Sequence, residues 1–259
     1  MKRITYLYLV YLGLPIALLL VGSFGQSWVN TLLPSGFTLN WYQEIWQTTA
    51  YRKAFIMSMQ VCLMVCLLNV LVITPLVCSL LLKGNSRALQ ATRLFALLPI
   101  AAPELVIGFG FILAFTRDAT PWLGATWLLV IGHFILTFPY FFFTLMADME
   151  RSAFTQLDRV AQSFGANSMT RFTTVFMPLA AKSIVAGLMT VAAISLGEFQ
   201  LSNMIAGFMN RTYPTLLLQA FYGATGLACA ATVILLLLAI TLSLLSSYQN
   251  SNKNRGAKA

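Results

Sequence analysis

Leu157-Asp158-Arg159-Val160-Ala161-Gln162-Ser163-Phe164-Gly165, with Pro178 thirteen residues after the glycine, is the longest polar interval between apolar runs in the second half of the chain. Phe154, Leu157, Ala161 and Phe164 recur at helical spacing, so about 152–164 reads as a short amphipathic helix that Gly165 stops. Asn167 or Ser168 is placed to cap a second short helix with Met169, Phe172, Val175 and Phe176 on one side and Thr170, Arg171 and Thr174 on others. Pro178 is expected to separate that helix from the next apolar run. Two short helices at a sharp angle between membrane spans make a compact knob, and a knob of that kind is a docking surface.

The segment resembles the cytoplasmic EAA loop of permease subunits of type I ABC importers. The pattern there is Glu-Ala-Ala, three residues, Gly, nine residues, an aliphatic residue, one residue, then Leu-Pro. Laid on Gly165, it puts Val160 and Ala161 at the alanines, Val175 at the aliphatic position, Met177 at the leucine and Pro178 at the proline. Arg159 stands at the glutamate position, with Asp158 just before it. The family's acid helps the loop dock on the ATPase, so this departure shifts weight to the apolar knob. The resemblance implies a coupling role for Asp158, Arg159, Ala161, Gly165, Phe172 and Pro178. The bland alternative, an amphipathic loop lying on the bilayer, leaves the glycine-to-proline spacing unexplained.

A composition of 59% hydrophobic and 9% charged residues, with long uncharged runs, describes an integral membrane protein. The net charge of +9 does not point to nucleic acid, because the basic residues are scattered between apolar runs and form no stripe with interleaved aromatics. Cys62, Cys66, Cys78 and Cys229 all fall in apolar runs, where small-residue packing is the expected use, and no Cys/His cluster has metal-ligand spacing.

The apolar runs predict an all-α polytopic membrane protein of six transmembrane helices: 4–24, 54–82, 94–115, 122–146, 180–205 and 226–245. Residues 1–245 form one permease domain, the loop 148–179 joins the fourth and fifth spans, and 246–259 is a polar, disordered tail. The run Ile4 to Phe24 is read as a span because it exceeds a signal-peptide core and lacks a clear cleavage site. Trp28, Trp41 and Trp46 mark the 25–52 interval as interfacial, and 117–124 holds Arg117, Asp118 and Pro121. Of 16 Lys and Arg, four (Arg52, Lys53, Arg117, Arg211) lie on one side of the six spans, leaving twelve on the other. By the positive-inside rule the termini and the loop are therefore cytoplasmic, in a bacterial inner membrane. No Gly-x-x-x-x-Gly-Lys-Ser/Thr phosphate loop occurs, so ATP hydrolysis has to belong to another polypeptide and no cofactor is expected.

Ionisable groups in hydrocarbon are costly and become pathway candidates. Glu104 follows Pro103 near the middle of the third span, and His133 lies at similar depth in the fourth, so the two are placed to meet and neutralise each other. Each also has a structural reading, a paired acid at a proline kink and a core histidine. Glu198 falls near the outer end of the fifth span, as a solute contact or an exposed helix-end acid. The pairs Ser183/Gly187 and Ala193/Gly197 are small residues four apart, suited to close packing within a subunit or between permeases.

Ser195-Leu196-Gly197-Glu198-Phe199, followed by Tyr213-Pro214-Thr215 and Gln219-Ala220-Phe221-Tyr222-Gly223, is similar to the matching part of permeases for polyamines, oxyanions, ferric iron, thiamine and 2-aminoethylphosphonate, leaning to the polyamine and aminoethylphosphonate branch. The resemblance implies a non-enzymatic permease subunit importing a small charged solute. Its partners would be ABC ATPases, a second homologous or identical permease, a periplasmic solute-binding protein and membrane lipid. The competing expectation is an ion-coupled secondary transporter or channel. An intramembrane serine enzyme is a third, disfavoured class, since His133 is the sole histidine and no Gly-x-Ser-x-Gly accompanies it.

Overall fold

A computed structural model describes residues 2–28, 31, 33–116, 122–206 and 210–256, with side chains described from residue 5 to residue 241. Arg117, Asp118 and Pro121 lie outside the described residues, as does Lys258. The chain is mostly helical. In order it forms α1 (Lys2–Phe24), a hairpin of β1 (Gly25–Ser27) and β2 (Ser35–Phe37), α2 (Asn40–Gln47), α3 (Thr49–Lys83), α4 (Ser86–Ala101), α5 (Glu104–Phe115), α6 (Thr126–Arg151), α7 (Phe154–Ser163) and α8 (Ser168–Arg171). A π turn (Phe172–Phe176) leads into α9 (Met177–Gly197), followed by α10 (Gln200–Ile205), α11 (Tyr213–Gly223) and α12 (Thr225–Gly256).

Four helical stretches are long and apolar enough to cross a membrane: Thr5–Phe24, Thr49–Lys83, Thr126–Arg151 and Ser168–Gly197. The pair α4 and α5 makes a fifth if taken as one span, bent by 96°. The cause of the bend is local. Pro103 has no N–H to continue α4 and forces Ala102 out of helical geometry (ψ 128), so α5 restarts at Glu104. The 94–115 run is therefore two elements, and the first begins at Ser86, where Asn85 accepts the Arg87 and Ala88 N–H groups. Among the described residues the apolar part of α12 is Thr225–Thr241, and Leu242, Leu244 and Leu245 continue it in the sequence. The helix runs on to Gly256 instead of giving way to a disordered tail at 246, because neither glycine nor proline interrupts residues 246–255.

The core is built where α3, α6 and α9 meet. Val65, Ile73, Leu128, Phe141, Phe142, Leu145, Phe176 and Val191 are sealed from solvent there. Small residues set the spacing: a Cβ on Gly187 would stand 2.8 Å from Phe141 Cδ2, so α6 and α9 approach too closely for any larger residue. Ser183 donates to Asp148 Oδ2 across the same seam at 2.7 Å. Ser183 and Gly187 thus pack within the subunit, whereas Ala193 and Gly197 are exposed. A second cluster joins α2, α3, α11 and α12 through Ile45, Tyr51, Tyr213 and Leu216. The helix α1 lies along α12 with Tyr6, Leu7, Val10 and Tyr11 open, a surface that only lipid or another subunit would cover.

Candidate functional site

The two candidate regions sit at opposite ends of the bundle. At one end α7 leaves α6 and the chain turns back into α9. Gly165 ends α7 in the left-handed region (φ +81): its N–H donates to Gln162 O at 2.9 Å and the Ala166 N–H donates to Ala161 O at 3.0 Å. These are the two bonds of a Schellman ending, which a glycine adopts without Cβ strain. Asn167 then caps α8, its side chain accepting the Thr170 N–H at 2.8 Å.

The second arm does not stop at Pro178. The π turn widens the backbone just before it, with the Met177 N–H donating to Phe172 O five residues back, and the chain passes into α9 with Pro178 in its first turn. The wider turn leaves room for the pyrrolidine ring, which in a regular helix would strike the carbonyl four residues earlier. Ser168 to Gly197 is in consequence one helical rod, and the expected separate helix is its first turns.

The faces of α7 are rotated from the expected stripe. Phe154, Asp158 and Ala161 turn inward, and Leu157, Val160 and Phe164 turn outward, with Phe164 86% and nearby Met169 67% exposed. Phe154 packs edge-on against Phe176 (centroids 5.4 Å), on which half-buried Phe172 stacks. Asp158 Oδ2 accepts from Arg171 Nη1 at 3.0 Å, tying the two arms together, while Asp158 Oδ1 and Arg171 Nε are buried without partners. Arg159 is exposed.

Toward the opposite end α9 breaks at Glu198 (ψ 124), and its carboxylate turns back to start α10. Glu198 Oε1 accepts the Leu201 N–H at 2.6 Å and Oε2 accepts the Ser202 N–H at 2.8 Å, while the Ser202 hydroxyl donates to Oε2. His133 Nε2 lies 2.8 Å from Ser202 Oγ and 3.3 Å from Glu198 Oε2, and Nδ1 lies 2.9 Å from Ser195 Oγ. With the Ser202 proton committed to the carboxylate, Ser202 Oγ accepts, so Nε2 carries the imidazole proton.

The expected meeting of Glu104 with His133 does not occur. The helix α10 packs against both α5 and α6 and brings Glu198 and Ser202 to His133, while Glu104 stays half-buried with no ion pair among the described residues. Glu198 is no exposed helix-end acid: it is 5% accessible. The sequence reading missed Ser195, Ser202 and Arg171 as partners. Ser195 and Ser202 stand three before and four after Glu198, a spacing that signals a shared cluster. No comparable signal links Asp158 to Arg171.

Among the described residues no group of three or more His, Cys, Asp or Glu is placed to hold a metal, and the four cysteines are unpaired thiols in the bundle.

Comparison with known proteins accounts for this architecture. Residues 72–255 match the family described as binding-protein-dependent transport system inner membrane component. A Salmonella paratyphi A permease, whose name assigns it provisionally to 2-aminoethylphosphonate transport, is 29% identical over 98% of this chain and 94% of its own length. The spermidine/putrescine transport system permease of Haemophilus influenzae is 25% identical over 97% of each chain. In fold the chain is similar to a solved bacterial ABC transporter involved in alginate import, with a TM-score of 0.66 at 14% identity, covering 97% of this chain and 94% of that one. The chain belongs to the binding-protein-dependent transport system inner membrane component family, as a permease subunit of an ABC importer and not an enzyme.

Proposed function

We propose that the 148–179 elbow is the part of this permease that a partner ATPase grips, and that the solute carried is small and charged, 2-aminoethylphosphonate or a polyamine. In this reading the chain crosses the bacterial inner membrane six times, through α1, α3, the bent pair α4 and α5, α6, the rod ending in α9, and α12. Both termini are cytoplasmic. A periplasmic binding protein delivers the solute, a second homologous or identical permease completes the pathway, and closure of the ATPase pair moves the elbows to alternate access.

The observation that carries this reading is the outward ridge of Leu157, Val160, Phe164 and Met169 on a knob braced from within by Phe154, Phe176 and the Asp158 to Arg171 pair. Apolar side chains held outward by a rigid support suit a protein partner better than water. Arg159, exposed at the family's glutamate position, leaves the apolar ridge as the main grip. The solute reading is supported by the relatives named for 2-aminoethylphosphonate and polyamines.

A cysteine replacing Phe164, in vesicles containing the co-expressed importer subunits, is expected to crosslink to the ATPase with a yield that changes with nucleotide. No adduct under any nucleotide condition would falsify the elbow assignment. An ion-coupled carrier is not favoured, since His133 and Glu198 are consumed by each other. Uptake should fail on ATP depletion even with the proton gradient maintained.

A further inference from the structure

The elbow carries its charge unevenly. From Arg151 to Ala181 the charged residues are Arg151, Asp158, Arg159 and Arg171, three cations against one acid. Asp158 is buried with its carboxylate turned to half-buried Arg171, so that pair is spent inside the elbow. Of the two acids just before, Glu150 is held by Arg93, and Asp148 accepts from Ser183 in the seam between α6 and α9. Arg159 differs from all of these: it is exposed and makes no hydrogen bond or ion pair among the described residues. Its own helix offers it no counter-charge. The positions three and four residues away are Thr155, Gln156, Gln162 and Ser163, and none is acidic. Arg159 is therefore the one exposed charge on α7, one position from Val160 and two from Leu157 in the apolar ridge. Whatever surface covers that ridge also takes water from this guanidinium, which is costly unless a well-placed opposite charge meets it.

We infer that the ATPase surface seated on the elbow is an apolar groove with a carboxylate, Asp or Glu, at its rim, and that Arg159 pairs with it. The inference rests on the reading above that the elbow is what the ATPase grips, and it adds the chemistry of the gripping surface. Leu157, Val160, Phe164 and Met169 supply contact area, which any apolar groove of the right shape accepts. The guanidinium supplies direction: its planar fork matches two carboxylate oxygens, fixes the register of α7 in the groove and rejects an ATPase that places a cation there.

The test uses the full importer, co-expressed and held in nanodiscs of phosphatidylcholine with phosphatidylglycerol. Arg159→Lys keeps the positive charge and adds a primary amine, which a zero-length carbodiimide condenses with a touching carboxylate to an amide, the reagent taking up the water as its urea. Mass spectrometry of the digest should show the position-159 peptide joined to an Asp or Glu of the ATPase, an adduct missing from Arg159→Gln. Titration of the permease nanodiscs with the ATPase should show affinity weakened about tenfold by Arg159→Gln, the loss of one charge-assisted pair, and further by Arg159→Glu. Changing the crosslinked acid of the ATPase to arginine should restore assembly with Arg159→Glu, a rescue that a merely structural role for Arg159 would not produce. The Phe164→Cys crosslink, run in parallel, separates the two readings. If that crosslink forms while Arg159→Lys gives no amide, or while Arg159→Glu leaves affinity unchanged, the elbow assignment stands and the carboxylate is removed. If the Phe164→Cys crosslink fails under every nucleotide condition, the elbow assignment itself falls. Loss of retained phosphatidylglycerol in Arg159→Gln, with no amide to the ATPase, assigns Arg159 to the bilayer surface and overturns the pair.

Discussion

Two buried acid–base pairs, one at each end of the long rod that contains α9, solve different problems. His133 and Glu198 are fully wired: both carboxylate oxygens accept backbone N–H groups, and both ring nitrogens face serine hydroxyls. Asp158 and Arg171 touch through one oxygen and one nitrogen, and leave Asp158 Oδ1 and Arg171 Nε unsatisfied in a buried setting. A completed network fixes one arrangement, whereas a half-completed one lets its arms shift at little cost. The first pair has the character of an anchor and the second that of a joint, which is the division expected if force enters at the elbow.

The largest expected effect comes from Gly165→Asp. No atom lies within 4 Å of a Cβ there, and aspartate is among the few residues that adopt the left-handed region, so the backbone strain at this one position is expected to leave the fold standing. The new charge lies beside the apolar ridge, and uptake should be lost while membrane insertion, read by protease protection, is kept. Gly165→Asn, with the same backbone tolerance and no charge, should retain most uptake. Equal loss in both would mean that the turn, and not the surface, is what matters.

Next is Glu198→Ala, which strips the N-terminus of α10 of its acceptors and leaves His133 and Ser202 buried without their partner. A cost of about 3–5 kcal/mol is expected for breaking such a pair, read as a fall in detergent thermal stability and in membrane yield. Arg171→Ala should cost less, about 2 kcal/mol, because its pair is already incomplete. The exchanged double variant Asp158→Arg with Arg171→Asp should recover part of the loss in a thermal-unfolding cycle. If Arg171→Ala proves as damaging as Glu198→Ala, the distinction between anchor and joint collapses. The smallest effect belongs to Asn167→Ala, about 1 kcal/mol for one N-cap, read as faster hydrogen exchange in the first turn of α8.

The elbow was largely legible in the sequence because its signals are local. Gly165 and Asn167 declare their backbone roles through their own chemistry, and the spacing to Pro178 survives any rotation of the helices. What was misread there is azimuth. Helical spacing groups Phe154 with Phe164, but Phe164 follows the last residue of α7, where the wheel no longer governs direction, and Phe154 is drawn inward by Phe176. Pro178 was read as a break because the widened turn that admits it has no residue signature of its own. The partner of His133 was misassigned for a related reason: depth along a span can be counted from sequence, but which neighbour shares that depth depends on how α10 folds back. Four of the runs the sequence marks return as helices long and apolar enough to cross a membrane and a fifth as a pair bent at the proline kink expected beside Glu104, though the size of that 96° bend and the helical course of residues 246–256 were not foreseen.

The unbroken course from Ser168 to Gly197 has a mechanical corollary. Thirty residues at ~1.5 Å each make a connecting rod ~45 Å long. With the kink that Pro178 would otherwise introduce absorbed near its base, a small tilt at the elbow end would appear as a sideways displacement at Gly197. The residue immediately beyond is Glu198, so a displacement carried along the rod would arrive at the anchored junction of the rod with α10.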